Sequence, residues 1–425
     1  MADESPRHDP RSRKREGWIA VATVLMLLAF LAFQQMGVRG FVFPVRVAEG
    51  SMAPTLAGEH FLLKCHQCAA SFQADLSVPS DQTFVCPNCE TRFIARENSL
   101  RLQQGDRVLI HRWNAWIAPI ERWQMIAAKD PRKPSRFIVK RIVGLPGEEI
   151  MIHHGNVFVD RQLVSKSLEQ LRGFSVKVDD EQYSDKSRES SWRTQNGDDG
   201  RWVLGTSGWT CEASSLPKSE WEWLQFHPKK ASDERLKILD DYGYNQDVSR
   251  RLNVVSELLV TCELQADLKA ELCLEFSQVE LVYRLVLSPS QQRYWIEQNG
   301  TRLKEKSLPP VGVRRVEFAI CDGQLLTGIN DQSGMTVPMD VVVPKTTPVP
   351  RIGIRHGSAS LSRLSVNRDI FYLRRLPEQA PQRLAADEYF LLGDNSPISV
   401  DSRDPELGPI RQDHVLGTVT RWAAD

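Results

Sequence analysis

The sequence predicts a mainly β protein behind one N-terminal apolar helix. Short segments of alternating apolar and polar residues, separated by turn residues, recur over most of the chain after residue 40. Residues 17–38 contain no charged side chain. The 425 residues are enough for two or three domains, and the 54 basic side chains equal the 54 acidic ones. This neutral balance gives no reason to expect a nucleic-acid partner.

The apolar run at residues 17–38 predicts a membrane anchor, because a helix of about 20 residues spans a bilayer. A basic tail at residues 1–16 precedes it and predicts a cytoplasmic N-terminus, with the rest of the chain outside the cytoplasm. A cleaved signal peptide is the alternative, but it usually has a shorter apolar region and a small-residue cleavage site. The run is instead followed by Gln34 and Gln35. We therefore expect a single-pass protein of the cell membrane that contacts lipid.

Lys140 lies in an apolar strand predicted over residues 137–143. Side chains alternate between the faces of a strand, so Lys140 shares its face with Ile138 and Ile142. Burial disfavours the ammonium form and lowers the pKa, at a cost of about 4 kcal/mol for a shift of about 3 units. Such a lysine can act as the base of a serine nucleophile. The alternative is an edge-strand lysine whose ammonium group reaches solvent.

Ser51 lies in a segment built for a sharp turn. Gly50 precedes it and allows the turn, while Pro54 stiffens the residues that follow. Such a turn exposes the hydroxyl and directs the backbone N–H of Ser51 at a developing oxyanion. An ordinary loop serine is the alternative interpretation.

A third motif, over residues 389–403, leads from an apolar strand into a dense polar loop. Buried polar groups need partners. We therefore predict two ion pairs, Asp401 with Arg403 and Asp394 with Arg141. Ser399 is placed to orient the lysine amine, and a satisfied surface turn is the alternative.

With these motifs in this order, the chain resembles signal peptidase I, the membrane-anchored Ser/Lys peptidase that removes signal peptides from exported proteins. The matching segments are residues 51–56, 105–108, 140–148, 393–395 and 399–403. The resemblance implies a mainly β catalytic domain over residues 41–64, 99–165 and 384–422. It also implies substrates that are preprotein signal peptides with small residues at positions −1 and −3, and a reaction without a cofactor.

The resemblance assigns roles to seven residues. Ser51 is the expected nucleophile and Lys140 the expected general base, and five residues are expected to support them: Ser399, Asp401, Arg403, Asp394 and Arg141. The chain departs from the family at Glu49, where some members have a serine that helps to bind the oxyanion. Because a carboxylate repels an oxyanion, we expect Glu49 to point away, which leaves the backbone N–H of Ser51 as the main donor.

Residues 65–98 contain two Cys-x-x-Cys pairs, which predict an inserted zinc ribbon. The expected ligands of a structural zinc ion are Cys65, Cys68, Cys86 and Cys89. Two disulfides are the alternative, since compartments outside the cytoplasm favour them.

Between the lysine and the last motif we predict a polar connection (residues 166–200) and an inserted β-sandwich (residues 201–375). The sandwich resembles concanavalin-like folds, which implies a carbohydrate or protein ligand. A sandwich that only packs on the peptidase is the alternative interpretation. Trp209, Trp221 or Trp223, if exposed, can stack on a sugar, although core packing is more usual. The four remaining cysteines are expected to be buried thiols, with a Cys211–Cys321 disulfide as the alternative.

Two functions thus remain in view. The first is a type I signal peptidase, of broad or narrow substrate range. The second is a membrane-anchored binding protein in which the sandwich and the ribbon do the work on a peptidase-like scaffold.

Overall fold

The structure is a computed structural model that describes twelve stretches of the chain. They are residues 18, 21–31, 42–79, 82–94, 100–112, 119–183, 190–217, 219–228, 237–278, 280–339, 347–375 and 380–422. Strands dominate these stretches, which confirms the mainly β prediction.

The predicted anchor is described only in part. Trp18 and residues 21–31 are helical and exposed, whereas the basic tail and the other anchor residues lie outside the described part of the chain. In the part that is described, no helix combines the length and the apolar character needed to cross a membrane.

Short strands follow one another along most of the described chain. Those up to residue 165 are Val42–Arg46 (β1), His60–Lys64 (β2), Ser71–Asp75 (β3), Thr83–Val85 (β4), Arg92–Ile94 (β5), Leu100–Gln103 (β6), Arg107–His111 (β7), Met125–Asp130 (β8), Lys133–Gly144 (β9), Glu149–His153 (β10), Asn156–Val159 (β11) and Gln162–Leu163 (β12). A helix, Leu168–Phe174 (α1), follows them. The later strands are Val176–Asp180 (β13), Trp192–Thr194 (β14), Trp202–Gly205 (β15), Gly208–Glu212 (β16), Glu222–Phe226 (β17), Leu258–Ala266 (β18), Glu271–Ser277 (β19), Val282–Ser288 (β20), Arg293–Gln298 (β21), Thr301–Ser307 (β22), Arg315–Cys321 (β23), Gln324–Ile329 (β24), Gln332–Pro338 (β25), Val349–Arg355 (β26), Ser358–Arg368 (β27), Gln382–Arg383 (β28), Glu388–Leu392 (β29), Ile410–Arg411 (β30) and Val415–Arg421 (β31).

One seven-stranded sheet draws on both ends of the chain, in the order β1-β7-β31-β8-β9-β29-β30. Strand β9, which carries Lys140, lies between β8 and β29. A second sheet, β12-β11-β10-β28, contains a hairpin of β10 and β11, whose register pairs His153 with Asn156. The two turn residues, His154 and Gly155, have φ angles of 47° and 87°, as tight hairpin turns require.

The cysteine-rich segment at residues 65–98 forms the two-stranded sheet β4-β5 and contributes β3 to a second small sheet, β3-β2-β6, whose other strands flank the segment. The four predicted ligands are buried together with Phe72 and Phe84 in a separate apolar cluster. A small unit of this kind has little core of its own and commonly needs a metal or disulfides to hold it.

Two larger sheets face each other over the biggest apolar core. Their orders are β15-β16-β27-β18-β23-β24-β25, with β13 also paired to β27, and β14-β17-β26-β19-β20-β21-β22. Alternate residues of facing strands, such as Phe276 on β19 and Phe318 on β23, meet in this core with ring centroids 5.0 Å apart. The arrangement is a β-sandwich of antiparallel strands.

The prediction of a solvated connection at residues 166–200 was wrong in part. Strands β13 and β14 belong to the two sandwich sheets. The polar residues of this region are buried because they have partners: the Ser191 hydroxyl donates to Asp179 over 2.6 Å. Lys166 Nζ lies 2.7 Å from an oxygen of Asp322 and 2.9 Å from one of Asp369. Polarity was a poor guide to exposure in this region, since buried charges are tolerated when they are paired.

Candidate functional site

Lys140 lies in the buried second half of strand β9. Its side chain is 3% exposed, and its neighbours on the same face, Ile138 and Ile142, are also buried. Burial lowers the pKa of Lys140 from 10.5 to about 8, although the nearby Asp401 carboxylate opposes this shift. The lysine is therefore not a snorkelling side chain, and a fraction of it is neutral near pH 7.

Ser399 contacts the lysine directly. The Nζ atom of Lys140 donates to the Ser399 hydroxyl over 3.0 Å, and Ser399 is fully buried. The main chain of Ser51 also lies close to Gly393, the residue that Ser399 packs against. A Cβ atom added at Gly393 would lie 2.1 Å from the Ser399 hydroxyl oxygen and 2.4 Å from the Ser51 carbonyl oxygen. Glycine at position 393 thus allows the serine turn and the lysine's partner to come together.

Asn395 ties the serine turn to the last polar loop. Its backbone N–H donates to the Ser51 carbonyl over 3.1 Å. Its side-chain Nδ2 donates to the Gly50 carbonyl over 3.0 Å. Asn395 is fully buried, as is Gly50, so these bonds form away from water. The carbonyl groups of two successive peptides, Gly50–Ser51 and Ser51–Met52, are therefore held in place.

Both predicted ion pairs are present. Arg403 Nη2 lies 2.6 Å from an Asp401 oxygen, and both side chains are completely buried. Arg141 Nε donates to Asp394 over 2.8 Å, and its guanidinium group stacks on the ring of Phe174, 3.9 Å from the centroid. Paired guanidinium and carboxylate forks of this kind fix a loop geometrically.

The Asp401 carboxylate is ionised in this setting. Burial alone would raise its pKa, but the Arg403 charge and its hydrogen bond outweigh burial and hold the pKa below the ordinary value. The Gly393 N–H contributes through a 3.0 Å bond. The positive charge of Arg403 offsets the negative charge of Asp401. The two charges together therefore do not reverse the lowering of the Lys140 pKa by burial.

Glu49 is bound by an arginine of strand β9. Its carboxylate lies 2.5 Å from Arg136 Nη2, and both side chains are largely exposed. The carboxylate at this departure from the family pattern is thus already engaged by a positive charge.

Three residues at this site were not singled out from the sequence. Tyr242 donates from its hydroxyl to the Asp394 carbonyl over 2.9 Å. Tyr244 packs on Gly50, since a Cβ atom added there would lie 2.3 Å from the tyrosine ring. Asn245 exchanges two hydrogen bonds with the side chain of Asn395. The only signal in the sequence is a run of tyrosine and amide residues without strand alternation, which by itself suggests no role.

The four ribbon cysteines converge. Their Sγ atoms all lie within 4.8 Å of one another, with 3.5 Å between Cys65 and Cys89 and 3.6 Å between Cys68 and Cys86. A tetrahedral zinc site with Zn–S bonds of about 2.3 Å places its sulfurs about 3.8 Å apart, so the spacing fits. A disulfide would require about 2.05 Å. The two knuckles are also alike, because the residue after the second cysteine, Ala69 or Glu90, has a φ angle of 61° in each.

The remaining expectations concern the other four cysteines and three tryptophans of the sandwich. Cys211, Cys262, Cys273 and Cys321 are buried free thiols as expected, and the alternative Cys211–Cys321 disulfide is not formed. Trp209 is 6% exposed and belongs to the sandwich core. Trp221 and Trp223 are half-buried, and each has an arginine over its ring at 4.3 Å and 4.6 Å respectively. One face of each ring is therefore covered by a guanidinium group.

Comparison with known proteins places the chain in a family. Residues 17–207 and 355–423, more than half of the chain, match the family described as signal peptidase, peptidase S26. The chain belongs to this family. A curated relative, a probable signal peptidase I-2 from Synechocystis, is 30% identical over 112 residues, which are 24% of this chain and 50% of that protein. The chain thus matches about half the length of this relative.

Two solved structures each align with about two fifths of the chain. A carbohydrate-binding module from Bacillus subtilis is 10% identical, with 42% of this chain and 96% of that chain covered and a TM-score of 0.29. An alginate lyase from Corynebacterium is 12% identical, with 39% and 80% covered and a TM-score of 0.26.

Proposed function

We propose that this chain is a type I signal peptidase, a serine endopeptidase that uses Ser51 and Lys140 as its catalytic pair. The buried Lys140 amine carries the proposal, because its lowered pKa of about 8 makes it a usable base near neutral pH. It is bonded to Ser399 at the point where the Ser51 main chain meets the same loop. Membership of the signal peptidase family supports the assignment.

In the proposed mechanism the Ser51 hydroxyl oxygen attacks the scissile carbonyl carbon while neutral Lys140 takes the hydroxyl proton. The tetrahedral oxyanion is stabilised by the backbone N–H of Ser51. When the C–N bond breaks, Lys140 returns the proton to the departing amine, and an acyl-enzyme remains. Water, activated by the same lysine, then releases the acid product and frees Ser51. Nucleophile and base are both side chains, so these steps need no cofactor.

The supporting residues keep this pair usable. Ser399 orients the Lys140 amine, and the Asp401–Arg403 pair closes the loop without adding a net charge beside it. Arg136 neutralises the Glu49 carboxylate, which would otherwise repel the oxyanion. In some family members a serine at this position supplies a second hydrogen-bond donor to the oxyanion. The Glu49 side chain of this chain does not supply that donor.

The substrates we propose are signal peptides of exported preproteins, cut at the membrane surface. The apolar run at residues 17–38 would anchor the chain, with its N-terminus in the cytoplasm and the peptidase outside it. The anchor would keep Ser51 close to the site where signal peptides emerge from the bilayer.

We also propose that the ribbon binds one zinc ion through Cys65, Cys68, Cys86 and Cys89. The convergence of the four sulfurs supports this, and the metal would be structural because four thiolates close its coordination shell. Metal analysis of the purified chain is expected to give one zinc per molecule, and Cys86→Ser is expected to lose it. Absence of zinc, with the four cysteines oxidised, would instead favour two disulfides.

Cleavage of a preprotein by the full chain tests the catalytic proposal. Wild type is expected to cut, while Ser51→Ala and Lys140→Ala are expected to lose activity by at least about 10³-fold. Full activity in either variant would refute the mechanism. An inactive wild type would favour the binding-protein alternative.

A further inference from the structure

One loop of the inserted region reaches the serine turn. We call residues 238–255 the bridging loop. Its ends are joined by two backbone hydrogen bonds, Val255 N–H to Ile238 over 2.9 Å and Asp240 N–H to Asn253 over 3.0 Å. Inside it, Arg250 binds the buried Asp240 carboxylate over 2.9 Å. The loop is braced from within, and it lies outside both ranges of the chain that match the signal peptidase family.

The tip of the bridging loop forms a reciprocal amide pair with the catalytic region. Asn245 Nδ2 donates to the Asn395 Oδ1 over 2.6 Å, and Asn395 Nδ2 donates back to the Asn245 Oδ1 over 2.8 Å. The second proton on Asn395 Nδ2 goes to the Gly50 carbonyl. If the Asn395 amide were turned over, its oxygen would face the Gly50 oxygen. The Gly50 carbonyl can only accept, so it selects the orientation in which Asn395 donates, and the two bonds from Asn245 hold the Asn395 amide in that position.

The Gly50 carbonyl and the Ser51 N–H belong to one planar peptide group. Whatever fixes the direction of the carbonyl also fixes the direction of the N–H, which points the opposite way. Hydrogen bonds to the carbonyl from Asn395 and from the Ala53 N–H, each 3.0 Å long, also polarise the peptide and strengthen its N–H as a donor.

From this chain of contacts we propose that Asn245 is a positioning residue of the peptidase, which acts through Asn395 and Gly50 to aim the Ser51 N–H at the oxyanion. The inference rests on the proposed function, and it makes the inserted region part of the active site. Two further contacts of the same loop agree with it. Tyr244 packs on Gly50, and Tyr242 donates to the Asp394 carbonyl.

The neighbouring residue offers a matched control. Gln246 lies in the same loop but directs its side chain to the ribbon, where its amide exchanges bonds of 2.9 and 3.1 Å with the main chain of Val85. Loss of Gln246 removes hydrogen bonds of the bridging loop without touching the serine turn. A comparison of Asn245→Ala with Gln246→Ala therefore separates an effect on the direction of the Ser51 N–H from an effect on the stability of the bridging loop.

The test measures kcat and KM for preprotein cleavage over a range of pH, corrected for the folded fraction from an unfolding curve. Asn245→Ala is expected to lower kcat at least about tenfold, because a misaimed oxyanion donor acts on the transition state, with KM and the pH midpoint unchanged. Gln246→Ala is expected to stay within about twofold of wild type in kcat. Asn245→Leu keeps the side-chain volume but has no hydrogen bonds, and it is expected to behave like Asn245→Ala.

Wild-type kcat in folded Asn245→Ala or Asn245→Leu would overturn the inference, as would a change confined to KM. An equal loss of kcat in Gln246→Ala would also overturn it, because the effect would then belong to loop stability. Ser51→Ala runs alongside. If Ser51→Ala still cuts, the proposed function itself fails, whereas an inactive Ser51→Ala with a fully active Asn245→Ala rejects the positioning role alone.

Discussion

Replacement of Ser399 by alanine tests how the lysine base is tuned. In the structure the Ser399 hydroxyl accepts a 3.0 Å hydrogen bond from Lys140 Nζ in a fully buried position. A hydrogen bond to a charged group contributes about 1.5–3 kcal/mol, against about 0.5–1.5 kcal/mol for a neutral one. The Ser399→Ala change therefore disfavours the ammonium form by about 1 kcal/mol more than the neutral amine.

At about 1.4 kcal/mol per unit, this difference lowers the pKa of Lys140 by somewhat less than one unit. The base must be neutral, so kcat/KM for preprotein cleavage rises with pH, with a wild-type midpoint near the lysine pKa of about 8. In Ser399→Ala the midpoint is expected to move down towards pH 7. The plateau is expected to fall about tenfold or more, because the amine is no longer oriented.

Ser402→Ala is a suitable control. The Ser402 hydroxyl is buried in the same loop but accepts a 2.9 Å bond from the Leu391 N–H rather than from the lysine. Its midpoint is expected to match wild type. A midpoint that rises in Ser399→Ala, or a plateau equal to that of wild type, would refute the role given to Ser399.

Two further predictions concern the stability of the fold and the space around Gly50. Arg403→Ala leaves the fully buried Asp401 carboxylate without its partner, and it is expected to reduce the free energy of unfolding by about 3–5 kcal/mol in urea titrations. The control, Arg363→Ala, removes an exposed ion pair and is expected to change the free energy of unfolding by less than about 1 kcal/mol. Similar losses in the two variants would contradict this account. Gly50→Ala places a Cβ atom 2.3 Å from the Tyr244 ring and is expected to lower cleavage activity at least about tenfold. Gly173 is a helical residue with open space around it, so Gly173→Ala is expected to raise the free energy of unfolding by up to about 1 kcal/mol. A fully active Gly50→Ala would show that the serine turn tolerates displacement.

Local patterns were enough to predict much of the candidate site. The burial of Lys140 followed from the period of two in its strand, and the Asp401–Arg403 pair followed from opposite charges two residues apart in a polar loop. In both cases the physical cause acts within a few residues of chain. The hairpin at residues 149–160 was predictable for the same reason.

The contributions of the inserted region were not predictable in this way. Asn245 meets a partner 150 residues further along the chain, and the loop that carries it has no strand or helix period. Exposure was also misjudged where polar groups find buried partners, as at Asp179 and Ser191. These features depend on which segments meet in three dimensions, which a single sequence does not show.

The Gly50–Asn395 hydrogen bond joins residues 345 positions apart, and the Lys140–Ser399 bond joins residues 259 apart. Contacts between such distant parts of a chain form late and slowly, because the intervening loop must first be closed. During synthesis the proposed nucleophile and base leave the ribosome long before the loop that brings them together. A chain that stops short of residue 395 would therefore carry both reactive groups without an active site. Under the proposed function, the order of the sequence delays proteolytic activity until almost the whole polypeptide has been made.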